Sequence, residues 1–238
     1  MSKQNELAQF ADVVTVNSGK VGIGTSSPTV LLDLESASPI IRLTDSDASG
    51  TPECQVSGAG GDLIFDADRD NEKASSLMAF KVDGSERMRI DATGAVTMPH
   101  QPAFLVKPNT EQSNIALASN VTVLFQTEIF DQNADFANNT FTAPVAGKYQ
   151  LNFSLYLKDI NDAYQYIYAR IQTSNRNYEV EIYPSTIFNS DGRITVGAGF
   201  LADMDASDTA FVTVQVPNTG SAQMDIVVYS SFSGYLVA

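Results

Sequence analysis

Three aspartates at alternate positions, Asp66, Asp68 and Asp70, are the residues of this sequence whose type and spacing could bind a metal ion. Alternate carboxylates open the calcium-binding loop of helix–loop–helix proteins, which also requires glycine at its sixth position and glutamate at its twelfth. Those two positions hold Asn71 and Leu77 here. The pattern therefore favours a solvated acidic turn over a metal site, and we predict neither a bound metal nor another cofactor.

The chain contains one cysteine, Cys54, and one histidine, His100. A thiolate metal cluster within one chain and any mechanism that needs two imidazoles are therefore excluded. We expect Cys54 to be a small buried residue and His100 to lie in a linker. Two carboxylates could still meet in the fold as a glycosidase pair, but 28 acidic residues make chance pairs expected. We predict that the protein is not an enzyme.

The charge balance restricts the partners of the chain. Asp and Glu total 28 against 14 for Lys and Arg, which gives a net charge of -14. A protein this acidic is repelled by nucleic-acid phosphates and by anionic lipid surfaces, so we predict no nucleic-acid partner. No apolar run is as long as a membrane span, and residues 1–10 lack the apolar core of a signal peptide. We therefore expect synthesis in a cytoplasm and no membrane insertion.

Residues 1–101 predict a module of short strands. A helical pattern is limited to residues 5–14, and apolar segments of three to five residues follow, separated by turn sequences rich in Asp, Ser and Gly. Strands this short bury little apolar surface, so we expect this module to need partner chains to complete a core. The two prolines within residues 98–102 predict a linker to a second module.

Residues 102–238 carry longer strands with strict alternation of apolar and polar side chains. In one of these strands every second residue is apolar, namely Tyr149, Leu151, Phe153, Leu155 and Leu157. Many alternating strands joined by turns indicate an antiparallel sandwich or jelly roll. The predicted fold class is therefore all-β, with a short-stranded shaft module at residues 1–101 and a jelly-roll head domain at residues 102–238.

A group of tyrosines forms a candidate contact surface. Tyr164, Tyr166 and Tyr168 fall at alternate positions and would share one strand face, opposite the apolar stripe of Ile167 and Ile171. Tyrosine combines a large apolar ring with a polar hydroxyl, which suits interfaces and sugar stacking. Three roles remain open for these residues: a trimer interface, a receptor contact, or ordinary surface aromatics.

A pattern in residues 123–156 resembles a known family. Aromatic residues surround the segment FTAPVAGKY, and the matching positions are Phe125, Phe136, Phe141, Pro144, Gly147, Tyr149 and Phe153. The segment FSGYL at residues 232–236 matches the last strand of the same family. In these motifs residues 103–238 resemble the globular head of the first complement component's q subunit, a jelly roll shared with the tumour-necrosis-factor ligands. The resemblance implies a trimer packed around a threefold axis.

The first module resembles a different group of proteins. The segments GKVGIGTSSP at residues 19–28, GDLIF at residues 61–65 and FKVDGSERMRID at residues 80–91 are similar to motifs of bacteriophage tail fibres and related surface proteins. This resemblance implies a fibre shaft or a collar of short intertwined strands.

Together these observations predict a structural and binding protein. We expect a trimeric bacteriophage fibre or spike that is fixed to a virion tail or capsid protein by its N-terminal region. Its jelly roll would contact a glycan or protein of the host surface. Two alternatives remain open, a capsid-decorating head fibre without a receptor role and a bacterial surface adhesin. The expected localisation is the virion, after synthesis in the host cytoplasm.

Overall fold

The computed structural model of this chain describes residues 13–184 and 192–238. The chain divides between Thr97 and Met98 into two compact units. The elements described in both units are β-strands joined by turns and short loops. No helix in the described part of the chain is long and apolar enough to span a membrane.

The predicted linker at residues 98–102 is attached to the second unit. The main-chain carbonyl of Met98 accepts a hydrogen bond from Gln132 Nε2 at 2.8 Å. Gln101 Nε2 donates to the carbonyl of Leu236 at 3.1 Å. These contacts explain why the second unit begins at Met98, a few residues before the boundary expected from the prolines.

The first unit, Met1–Thr97, consists of three small three-stranded sheets in its described residues. Its strands are β1 (Val14–Asn17), β2 (Lys20–Ile23), β3 (Leu32–Leu34), β4 (Ile40–Thr44), β5 (Glu53–Ala59), β6 (Asp62–Ala67), β7 (Leu77–Val82), β8 (Ser85–Asp91) and β9 (Val96–Thr97). The strands are short, as the sequence predicts. Each sheet joins three consecutive strands, and all pairs are antiparallel except β2 with β3.

The helix predicted over residues 5–14 is wrong at its C-terminal end. Val14 pairs with Ile23 at the start of the β1–β2 hairpin, so it belongs to a strand. Two residues with positive φ, Ser18 and Gly19, form the two-residue turn of this hairpin. Residues 5–12 of the predicted helix lie outside the described residues.

Gly24 lies in the segment GKVGIGTSSP at a point where the backbone turns and comes close to Glu35. Its φ is +81°, and a Cβ atom placed there would lie 2.1 Å from the carbonyl oxygen of Glu35. Only glycine fits such a turn without strain. The close approach brings β3 beside β2, where Glu35 N donates to the Ile23 carbonyl at 2.9 Å. The segment is therefore a turn motif that closes the first small sheet.

The second unit, Met98–Ala238, is a sandwich of two antiparallel sheets. The first sheet has the order β12 (Thr127–Asp131), β10 (Ala103–Lys107), β21 (Ser231–Leu236), β15 (Gly147–Lys158) and β18 (Ile194–Met204), with β20 (Asp225–Ile226) paired to β15. The second sheet has the order β13 (Phe136–Ala137), β14 (Thr140–Thr142), β19 (Thr209–Gln215), β16 (Ile167–Thr173) and β17 (Asn177–Ile182), with β11 (Val121–Thr122) paired to β19.

The hydrophobic core of this unit lies between the two sheets. The inward residues of β15 that the alternation identifies are all buried, and from the second sheet they meet Ile167, Ala169, Ile171, Val212 and Val214. At one end of the core Phe104 stacks on Phe141 at 4.7 Å between ring centroids and meets Phe232 edge-on at 5.0 Å. The prediction of an all-β chain with an antiparallel jelly roll is confirmed.

Candidate functional site

The outward face of the second sheet carries a row of large polar and aromatic side chains. In β16 the residues Ile167, Ala169 and Ile171 are buried, so Tyr168 and Arg170 point away from the core. The register places Tyr168 between Glu181 of β17 and Gln215 of β19, and it places Arg170 opposite Glu179. We call Tyr166, Tyr168, Arg170, Glu179, Glu181 and Gln215 the tyrosine surface.

Two tyrosine rings lie side by side on this surface. The ring centroids of Tyr166 and Tyr168 are 4.7 Å apart with an angle of 45° between the planes. The guanidinium carbon of Arg170 lies 4.5 Å from the centroid of Tyr168 on the adjoining position. Both tyrosines are half-buried, so each leaves part of its ring accessible. The ring of Tyr168 is therefore packed between the ring of Tyr166 and the guanidinium of Arg170, with which it makes a cation–π contact.

Arg170 is held in place by several acceptors. Its Nη1 donates to Asn120 Oδ1 at 2.6 Å and to Gln215 Oε1 at 2.7 Å, and its Nε donates to the carboxylate of Glu179. A side chain fixed by three partners loses little conformational entropy when a ligand binds. The surface is therefore preorganised around Arg170.

The carboxylate of Glu181 helps to raise the pKa of two neighbouring tyrosines, Tyr168 and Tyr183. Desolvation, and then the neighbouring Glu181, raises the pKa of Tyr168. A hydrogen bond with Glu181 is the largest cause that raises the pKa of Tyr183, which follows β17 on the same face. Both hydroxyls therefore remain protonated at neutral pH, and the surface keeps hydroxyl donors beside carboxylate acceptors.

The position predicted for Tyr164 is wrong. This residue is 1% exposed and belongs to the core, where its hydroxyl donates to the Ser221 carbonyl at 2.7 Å. Strand β16 begins only at Ile167, and a turn in which Tyr164 N donates to the Asn161 carbonyl precedes it. Because the alternation of a strand does not extend through a turn, Tyr164 does not share the face of Tyr166 and Tyr168.

The outward face of the first sheet is a second exposed surface. Apolar side chains on it include Leu201, Tyr235 and Phe130, which are 57%, 50% and 49% exposed. Leu201 and Tyr235 flank Gln150 in one row of the sheet. In the next row Gly199 lies opposite Asn152, and the side-chain amide of Asn152, which accepts from Gln150 Nε2 at 3.0 Å, fills the space beside the glycine. We call this surface the first-sheet face.

A third exposed surface lies in the first unit, on the sheet of β4, β5 and β6. The register places most of the apolar side chains of this sheet on one side, namely Ile41, Leu43, Cys54, Val56, Leu63, Phe65 and Ala67, whereas Ile40 and Ile64 lie on the other side. Leu43 and Leu63 are each 67% exposed and Phe65 is 56% exposed. The opposite side carries the ion pair of Arg42 with Glu53 at 3.1 Å. We call the apolar side the shaft face.

The single cysteine lies on the shaft face. The prediction that Cys54 is buried is wrong, because its thiol is exposed. Cys54 borders a groove of about 270 Å³ that Phe65 and Leu77 also line. Cys54 pairs with Leu43 on the apolar side of the sheet, where it is exposed in one chain.

The acidic turn that contains Asp68 is organised by its own hydrogen bonds. The Asp68 carboxylate accepts from the main-chain N–H groups of Glu72 and Lys73 and from the hydroxyl of Ser76. The bond from Ser76 is the largest cause that lowers the pKa of Asp68. Among the described residues no group of three or more His, Cys, Asp and Glu side chains could hold a metal ion.

Sequence reasoning missed most of the polar members of the tyrosine surface. Arg170, Glu179 and Glu181 lie on neighbouring strands of one hairpin, and their alternation with Val180 and Ile171 was the signal that could have found them. Gln215 lies on a strand far along the chain from β16. Its position beside Tyr168 follows from the strand order, which the sequence pattern does not specify.

The second unit is an antiparallel jelly-roll sandwich in its described residues. The family profile of the C1q domain matches residues 103–237, which is more than half of the chain. This chain therefore belongs to the C1q domain family. C1q-like domains often form trimers and mediate binding, and they are generally non-enzymatic. The expected resemblance of the head domain is confirmed.

Solved structures with a similar fold include two animal proteins. The globular domain of zebrafish complement 1qA is 20% identical, with a TM-score of 0.42, and the match covers 58% of this chain and 98% of that one. Murine APRIL at pH 8.0 is 10% identical, with a TM-score of 0.42, and the match covers 58% of this chain and 99% of that one. A comparison with curated proteins gave no match.

Proposed function

We propose that this protein is a homotrimeric, non-enzymatic attachment protein of a bacteriophage virion. Its first unit forms the shaft that joins the particle, and its C1q domain contacts the host surface. The observation that carries this proposal is the shaft face, where Leu43, Leu63 and Phe65 of one sheet are exposed in a single chain. Exposed patches of this kind are typical of surfaces that associate with another chain.

The energetics of the shaft face favour association of several chains. Burying one leucine or phenylalanine side chain is worth roughly 1.5–3 kcal/mol. Leu43, Leu63 and Phe65 alone therefore offer a gain comparable with the association cost of about 4–15 kcal/mol. The exposed Leu201 and Tyr235 of the first-sheet face add further apolar area. The two faces together provide enough burial for a stable assembly.

The choice of three copies rests on the family. C1q and tumour-necrosis-factor-like relatives are typically trimeric. The first-sheet face suits such packing because it exposes the apolar side chains of Phe130, Leu201 and Tyr235. We assign self-association to the first-sheet face and the shaft face. Tyr166 and Tyr168 then remain available for a ligand, since they lie on the other sheet.

The virion role rests on the resemblance of the first unit to fibre proteins. The segment at residues 19–28 forms a closed turn around Gly24, and the segments at residues 61–65 and 80–91 contribute β6, β7 and β8. Short sheets with an uncovered apolar side are the expected building blocks of an intertwined shaft. We assign attachment to the particle to residues 1–12.

The test compares the full chain with a variant that lacks residues 1–12. Native mass spectrometry at micromolar concentration should show both proteins as trimers of their respective chains, and only the full chain should be incorporated into particles. A folded species of 25.6 kDa would overturn the trimer. Incorporation of the shortened variant at the level of the full chain would overturn the assignment of residues 1–12.

A further inference from the structure

We propose that Asp131 and Asp135 form a clasp at one corner of the C1q domain and that acid strengthens it. The corner is the segment of residues 131–135, which leads from β12 of the first sheet to β13 of the second. The clasp holds this junction more firmly when Asp135 is protonated than when it is charged. The inference concerns the C1q domain alone and goes beyond the proposed attachment function.

The corner is attached to both sheets and to the core. Its first residue, Asp131, pairs with Phe104 of β10 in the first sheet. The carbonyl of Asp135 accepts from Thr142 N of β14, in the second sheet, at 2.8 Å. Phe136, which follows the corner, is 4% exposed, and its ring stacks on that of Phe104 at 5.3 Å between centroids. A change of charge at Asp135 therefore acts on the junction of the two sheets and on the edge of the core.

The two carboxylates of the corner have unequal surroundings. Asp131 accepts from the main-chain N–H groups of Asp135 at 3.1 Å and of Phe136 at 2.9 Å. The Oδ2 atom of Asp135, in contrast, is buried and has no hydrogen-bond partner among the residues that the structure describes. A buried polar atom without a partner is costly, and the cost is greater when the group is charged. Asp135 is therefore the member of the clasp that gains from taking up a proton.

The titratable and polar groups around Asp135 act in the same direction on balance. Burial is the largest cause that raises the pKa of Asp135, a hydrogen bond with Asn133 opposes it, and the negative charge of Asp131 adds to it. From β15, Tyr149 interacts with the same carboxylate: burial is the main cause that raises the pKa of Tyr149, and the charge of Asp135 adds to it. The single histidine is also nearby, since the His100 carbonyl accepts from Asn133 Nδ2 at 3.0 Å.

The sign of the pH effect follows from these surroundings. Asp135 takes up its proton at a higher pH in the folded chain than in the unfolded chain. Its contribution to stability is therefore fully present below the unfolded pKa of about 3.9 and is lost as the pH rises through the folded pKa. Mild acid closes the corner more firmly, and neutral pH loosens it.

The test measures amide hydrogen exchange of residues 136–142 in the full chain. The results are expressed as protection factors, which remove the direct effect of pH on the chemical exchange rate. Asp135→Asn keeps the shape of the side chain and removes its charge, so it should raise these protection factors at least about threefold at about pH 7. The difference between this variant and the parent should disappear at about pH 4 or below, where the parent is itself protonated.

The neighbouring carboxylate provides a matched control. Asp131 accepts two main-chain N–H bonds, and an amide has only one oxygen with which to replace them. Asp131→Asn should therefore lower the protection factors at neutral pH, in the opposite direction to Asp135→Asn. A second control, His100→Gln, should keep the pH response of the parent, although histidine changes its charge in a similar range of pH.

A second measurement needs no variant. The carboxyl carbon of Asp135, followed by NMR in the folded parent, should titrate above the ordinary aspartate value of 3.8. The clasp is overturned if Asp135 titrates at or below that value, if Asp135→Asn leaves the protection factors unchanged at neutral pH, or if His100→Gln abolishes the pH response. These contacts all lie within one chain, so a monomeric parent would overturn the proposed function and leave this test in force.

Discussion

Two positions of the C1q motif, Gly147 and Gly234, require glycine because a larger residue would clash with a neighbouring strand. A Cβ atom at Gly234 would lie 2.6 Å from Leu151 Cδ2 and 2.8 Å from Phe104 Cε1. A Cβ atom at Gly147 would lie 2.6 Å from Leu236 Cδ1. Neither glycine has a positive φ, so the cause is the close approach of neighbouring strands. The two glycines therefore allow β15 and β21 to pack closely against each other.

Tyr149, another motif residue, is a source of both stability and pH dependence. It is fully buried, and its hydroxyl donates to the Val145 carbonyl at 2.8 Å. Tyr149→Phe removes this hydrogen bond and should lower the free energy of unfolding by about 1 kcal/mol at pH 7. Urea unfolding monitored by circular dichroism measures the change. Tyr229→Phe, at a position that is 74% exposed, is the control and should leave the stability unchanged.

The same variant tests the sign of the pH effect. Burial raises the pKa of Tyr149 above the ordinary tyrosine value of 10.0. The unfolded chain therefore releases this proton at a lower pH than the folded chain does, and stability falls as the pH rises above about 10. Tyr149→Phe should make that fall less steep, although Tyr168 and Tyr178 also contribute to it. Parallel pH profiles for variant and parent would contradict this account.

Side-chain positions could be predicted from the sequence only where strand alternation is uninterrupted. Leu151 and Phe153 are buried as predicted, because they lie within one long strand. Tyr164 was misplaced because a turn separates it from β16. Cys54 was misplaced for a different reason, since a residue on an apolar face is buried only if something covers that face.

At the scale of elements, Ile64 and Phe65 are adjacent residues on opposite sides of the β4–β5–β6 sheet, so lysine substitutions at the two positions can be compared. Phe65 lies on the shaft face and Ile64 lies on the opposite side, and both are partly exposed in one chain. Phe65→Lys should weaken the trimer at least tenfold because it places a charge in the interface. Ile64→Lys should leave the trimer intact. Mass photometry over a dilution series measures both.

Cys54 provides an independent readout of the same prediction. It is the only cysteine and lies on the shaft face, so a maleimide should label it slowly in the trimer. Labelling should become at least tenfold faster in Phe65→Lys and remain slow in Ile64→Lys. Fast labelling of the parent trimer would show that the shaft face is open and would contradict its role in association.

The sequence predicts whether a segment is a strand better than it predicts which strands pair with one another. The short strands of the first unit and the long strands of the second were evident from the length and alternation of apolar segments. The strand order was not, because β10 pairs with β21 and β16 pairs with β19 across long stretches of chain. The tyrosine surface depends on those pairings, so only Tyr166 and Tyr168 could be proposed from the sequence. At the end of the predicted helix, pairing with Ile23 prevailed over the helical spacing of Val14.

For the whole molecule, the net charge sets the response of the trimer to salt. Each chain carries -14, so the three chains of the proposed trimer would repel one another while their apolar faces attract. Salt shortens the range of this repulsion to about 10 Å at 0.1 M and leaves the apolar attraction in place. The dissociation constant of the trimer should therefore fall as sodium chloride rises from about 0.01 M to about 0.15 M. Sedimentation velocity measures it, with sucrose of equal osmolality as the control.

A trimer that loosens with added salt would contradict the balance described above. That result would mean that ion pairs between chains, rather than apolar burial, hold the assembly together. The distribution of acidic residues over both units makes such pairing unfavourable, because only 14 basic residues are available per chain.

The position of β21 has a consequence for how the protein is made. This strand lies between β10 and β15 in the first sheet, yet it is the last strand of the chain. During synthesis β10 and β15 therefore leave the ribosome before β21, the strand that lies between them. In the proposed trimer, the first units of neighbouring nascent chains would therefore meet while each C1q domain still lacks its central strand. The order of synthesis would then set the order of assembly, with association of the first units before the C1q domain closes.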